Sequence, residues 1–77
     1  MSKTIYSQNR DFLSARLIQA REEAGLTQLQ VAETNLISQS ELSKIENGQR
    51  RFEFLALLDL ANLYSKPIEF FIPSNNL

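Results

Sequence analysis

The chain has 77 residues and contains no cysteine, histidine or tryptophan. This excludes a disulfide framework, a thiolate metal site and the commonest metal ligand and proton carrier near neutral pH. Hydrophobic residues are 43% and charged residues 22%, a globular rather than a disordered composition. A chain this short buries only roughly 60% of its unfolded surface, so it forms one small domain that gains from self-association.

The net charge is −1, from eight Lys and Arg against nine Asp and Glu. The acidic balance does not itself point to nucleic acid, so the placement of charge matters more than its sum. The opening MSKTIYSQNR lacks the apolar run of a signal peptide, and the longest apolar stretch, 52–63, is broken by Glu53, Asp59 and Asn62. A soluble, cytoplasmic protein with no membrane partner is expected. There is no repeat and no linker. Residues 1–9 read as a polar arm or frayed helix start, and residues 10–77 as a single domain.

In chain order, Leu13, Leu17, Ala20 and Ala24 recur at helical spacing and predict a helix over 9–24, stopped by Gly25. Thr27 and Gln30 form a T-x-x-Q capping box opening a short helix over 28–34, with Val31 and Ala32 inward. Ser38 and Glu41 repeat the signal for a third helix, with Leu42 and Ile45 inward and Gly48 as its left-handed cap. A fourth helix is predicted over 52–64, with Phe54, Leu57, Leu58, Ala61 and Tyr64 on its core side. Pro67 opens a short final helix over 67–71, with Ile68 and Phe71 inward, and Pro73 closes it. The fold class is therefore all-α, a bundle of five short helices.

Two capped helices joined by a brief turn, from Thr27 to Gly48, have the layout of a helix-turn-helix. On spacing alone, an ordinary helical corner would be the safer reading. The third helix shifts the balance. At about 100° per residue, Gln39, Ser40, Ser43, Lys44 and Asn47 form one polar arc opposite Leu42 and Ile45. Amides bond adenine bidentately, hydroxyls bond several base edges, and lysine favours guanine or phosphate. Gln39 and Ser40 also stand in the first turn, the end that reaches base edges in this docking geometry.

The residues Thr27-Gln28, Val31-Ala32, Ser38-Gln39-Ser40 and Leu42-Ser43-Lys44-Ile45-Glu46-Asn47-Gly48-Gln49-Arg50 together resemble the Cro/C1-type (XRE-like) helix-turn-helix regulators, over about residues 17–71. The resemblance implies a lambda-repressor-like five-helix domain that binds double-stranded DNA. It implies that Gln28 bonds a phosphate and braces Gln39, that Gln39, Ser40, Ser43 and Lys44 read bases or adjacent backbone, and that Asn47, Gln49, Arg50 and Arg51 grip phosphates. It also pairs Glu46 with Arg21 as a structural ion pair. The family usually places glycine where this chain has Leu36, so either Leu36 accepts left-handed strain or Asn35 takes that geometry and the second helix ends early.

Leu55, Leu63 and Phe70 are surplus to one core face and are candidates for a homodimer interface. A two-fold dimer implies a palindromic operator. Glu22 and Glu23 are adjacent on a helix, hence about 100° apart, and read as a solvated face rather than a catalytic pair. With no histidine to activate a serine and no phosphate loop, neither an enzyme nor a cofactor is expected. The reading is a DNA-binding regulator of repressor or controller type, with polymerase contact as one means of action. The alternatives are an antitoxin-type autorepressor with a toxin or other protein partner, and a protein-interaction adaptor without DNA binding.

Overall fold

A computed structural model describes residues 5–49 and 53–73. Within them lie four α-helices, α1 (Ile5–Glu23), α2 (Gln28–Ala32), α3 (Gln39–Glu46) and α4 (Phe54–Leu63), then a 3-10 turn (Ile68–Phe71), and no strand. The all-α class holds, but the fifth element is a 3-10 turn. Pro67 stands before it in extended geometry, ψ 154°, and the Phe70 N–H bonds the Pro67 carbonyl at 3.0 Å in the tighter i to i+3 pattern.

The helix ends follow from backbone chemistry. α1 and α3 close on Gly25 (φ 74°) and Gly48 (φ 72°). Each makes paired Schellman bonds: Gly25 to Glu22 with Leu26 to Arg21, and Gly48 to Ile45 with Gln49 to Lys44. α2 opens on the complete capping box, where the Thr27 hydroxyl accepts from the Gln30 N–H and the Gln30 amide oxygen from the Thr27 N–H. The Ser38 hydroxyl accepts from the Glu41 N–H at 3.1 Å and opens α3.

In the turn between α2 and α3 the left-handed residue is Asn35, at φ 66°, not Leu36. Asparagine tolerates that region far better than a bulky side chain. The register shift ends α2 at Ala32, two residues before the expected Thr34. α4 ends on Ser65 at φ 58°, with the same pair of bonds that the glycines make, Ser65 to Asn62 and Lys66 to Ala61.

The core is Leu17 and Ala20 of α1, Val31 of α2, Leu42 and Ile45 of α3, Leu57, Leu60 and Ala61 of α4, then Tyr64 and Phe71. Three expectations are corrected. Phe54, assigned inward, is 61% exposed in the first turn of α4, whereas the unassigned Leu60 is 1% exposed. Leu58 is only half-buried, and Ala24, past the end of α1, is exposed. α4 reads FLALLDLANL, so several apolar stripes fit it, and packing against the 3-10 turn selects Leu57, Leu60, Ala61 and Tyr64. α1 begins at Ile5, so residues 5–9 are helical, while 1–4, Phe52 and 74–77 lie outside the described residues.

Candidate nucleic-acid interface

α3 packs its inward side against α1 and α2, burying Leu42, Ile45 and Glu46. Gln39, Ser40, Lys44 and Asn47 are exposed, Ser43 is half-buried, and Gln49 just beyond the Gly48 cap is exposed. One face of the helix thus offers two carboxamides, hydroxyls and an ammonium to solvent, while the other is sealed in the core. Arg50 and Arg51 lie outside the described residues.

Polar side chains on the inward side of α3 set how it is held. Arg21 donates through Nε to Glu46 Oε2 at 2.8 Å, through Nη2 to Glu46 Oε1 at 3.1 Å, and through Nη1 to the Leu26 carbonyl at 3.0 Å. The hydrogen bond to Glu46 raises the affinity of the Arg21 guanidinium for its proton, against the opposing effect of burial. A second donor reaches the same carboxylate: Gln28 Nε2 bonds Glu46 Oε1 at 2.9 Å. The Gln28 amide nitrogen is therefore engaged with Glu46 rather than with Gln39.

Sequence reasoning missed Ser14. Its buried hydroxyl donates to the Ile45 carbonyl at 2.8 Å, fastening α1 to the last turn of α3. The available signal was a small hydroxyl interrupting the apolar stripe of α1 beside Leu13 and Leu17. Tyr64 was assigned to the core, but its hydroxyl was not anticipated as a polar group buried with no hydrogen-bond partner among the described residues. Burial pushes this phenol up to about 12, and the Glu46 charge adds to the effect.

The candidate interface residues separate. Leu55 is 66% exposed beside Phe54. Leu63 and Phe70 are not surplus, because both pack partly buried against the core. The Phe70 ring meets Phe71 edge-on at 5.2 Å and carries the Arg16 guanidinium 4.5 Å and the Lys66 ammonium 4.8 Å from its centroid. Those partners occupy the ring that the linear pattern left surplus to the core.

Among the described residues no helix is long and apolar enough to cross a membrane. Comparison with known families finds a match to a helix-turn-helix domain over residues 15–69, which includes α2, α3, α4 and the C-terminal part of α1. No curated protein and no solved structure matches the chain.

Proposed function

The chain belongs to the Cro/C1-type helix-turn-helix family of DNA-binding regulators, and from that premise we propose that it is a sequence-specific transcriptional repressor or controller acting as a homodimer on a palindromic operator. The observation that carries this reading is the division of α3: Leu42, Ile45 and Glu46 are buried, while Gln39, Ser40, Lys44 and Asn47 stand free in solvent. In the proposed complex Gln39, Ser40, Ser43 and Lys44 face base edges and adjacent backbone, and Gln28, Asn47, Gln49, Arg50 and Arg51 take phosphates.

The acidic net charge does not oppose this assignment. Of the carboxylates near α3, Glu46 is buried against Arg21 and Gln28, so its charge does not meet the duplex. Lys44, Arg50 and Arg51 then dominate the local balance. Phe54 and Leu55, adjacent and exposed on α4, support the dimer by supplying apolar surface that a second copy would cover. Two-fold pairing would set the recognition helices about 34 Å apart, one turn of DNA.

A salt titration of DNA affinity tests the reading. A regulator gripping several phosphates loses affinity steeply, with a log–log slope near −0.9 for each phosphate neutralised. An adaptor that binds only protein gives no salt-dependent DNA binding, and that outcome would reject the assignment.

A further inference from the structure

We propose that Glu46 is a positioning residue for DNA binding, acting through Gln28: besides pairing with Arg21, it holds the Gln28 carboxamide in the orientation in which that group meets a backbone phosphate. The inference rests on the regulator reading above and deepens it. Its basis is a three-way junction: Arg21 of α1 and Gln28 of α2 donate to one buried carboxylate at the end of α3.

The chemistry of the junction constrains Gln28 in three ways. A carboxylate accepts and cannot donate, so only the NH2 end of the carboxamide can face it, and the amide is fixed against a flip. The carboxylate is itself held, because its side chain is 3% exposed and Arg21 grips both oxygens. The Gln28 nitrogen has a second hydrogen with no partner among the described residues, and the residue is half-exposed. A glutamine free in solvent loses rotamer freedom when it binds a phosphate; this one has already lost it on folding. Glu46 therefore prepares a neutral donor for an anion while its own charge is matched by Arg21.

The test is a double-mutant cycle in DNA affinity on a mixed-sequence duplex, since a phosphate contact is indifferent to sequence. Gln28→Met keeps the length of the side chain and removes the amide. It is expected to weaken binding roughly tenfold, the worth of one hydrogen bond to a charged oxygen. The salt slope should not change, because a neutral donor releases no counterion. The paired replacement Arg21→Met with Glu46→Leu substitutes apolar groups for the buried pair, an exchange that folds tolerate. In that background the amide is no longer held, and Gln28→Met is expected to cost less than about threefold.

An equal loss in both backgrounds would show that Gln28 works without Glu46, and no loss in either, while the wild type binds, would show that it makes no contact; each overturns the proposal and leaves the regulator reading standing. Absence of salt-dependent binding by the wild type removes that reading and the proposal with it. If the paired variant fails to fold, the Gln28 side-chain amide in wild-type NMR spectra decides. The 15N relaxation of its Nε2 group is expected to report a rigid side chain both free and DNA-bound, and a side chain that is mobile in the free protein would overturn the proposal.

Discussion

Arg21 and Glu46 share two hydrogen bonds, Nε to Oε2 at 2.8 Å and Nη2 to Oε1 at 3.1 Å, which join the last turn of α1 to the last residue of α3. Replacing Glu46 by alanine leaves a largely buried guanidinium with, among the described residues, only the Leu26 carbonyl, and strips the Gln28 amide of its acceptor. Breaking a buried pair from one side costs about 3–5 kcal/mol. Stabilities of about 5–15 kcal/mol are usual, and a domain this small sits low in that range. Glu46→Ala is therefore expected to be largely unfolded near physiological temperature, by circular dichroism. A melt superimposable on the wild type would show that the pair carries no such weight.

The left-handed residues Asn35 and Ser65 give a test of the turn geometry. Asn35→Ala is expected to cost about 1 kcal/mol, since alanine lacks the local hydrogen bonding that lets asparagine occupy φ 66°. Leu36→Gly is expected to destabilise slightly, by about 0.5 kcal/mol, because it loosens the unfolded chain without relieving strain. Were Leu36 the left-handed residue, glycine there would stabilise instead. At φ 58°, Ser65→Gly is expected to gain about 1 kcal/mol. Urea midpoints at unchanged m-value distinguish these signs.

Tyr64 makes stability depend on alkaline pH. Burial, and secondarily the Glu46 charge, push its phenol from an ordinary 10 up to about 12, with Arg21 partly opposing. The folded state thus holds the proton more tightly than the unfolded state. The stabilisation from this shift is complete below pH 10 and is lost as pH rises from there through about 12. Two pH units correspond to roughly 3 kcal/mol. Tyr64→Phe removes the titrating group together with a buried hydroxyl that has no partner among the described residues. Its stability near neutral pH should match or exceed the wild type, and its loss between pH 10 and 12 should be shallower. Parallel declines of the two proteins across that window would refute the assignment.

The parts of the fold written in local chemistry were legible in the sequence. Thr27 with Gln30 and the glycines at 25 and 48 act over a few residues and do in the structure what their spacing predicts, and Ser38 with Glu41 supplies the hydroxyl half of its expected box. The polar arc of α3 was legible for the same reason, because helical geometry alone sets Ser40 and Lys44 opposite Leu42. α4 was not, since a helix of almost continuous apolar residues has no preferred stripe until its neighbours are in place. Ser65 was hidden because serine is not a marker of left-handed backbone. The bond from Gln28 to Glu46 spans 18 positions and the one from Ser14 to Ile45 spans 31. No periodicity or spacing reports such contacts; only the packing of α1, α2 and α3 creates them.

The proposed division of labour between base readers and phosphate anchors yields the last prediction. Gln39 begins α3, exposed, where a carboxamide can bond adenine through both its ends. Gln39→Ala is expected to lower affinity for the preferred sequence by about 1–3 kcal/mol and to leave other sequences nearly unaffected. Arg50→Ala removes a cation just past the α3 cap and should weaken all sequences alike, with the salt slope reduced by about 1. Selection from random duplexes followed by salt titration of the bound pool separates the two patterns. Gln39→Ala should return a degenerate position within each half-site, and Arg50→Ala an unchanged motif at lower affinity. If the two variants changed motif and slope in the same way, α3 would not be the element that reads sequence.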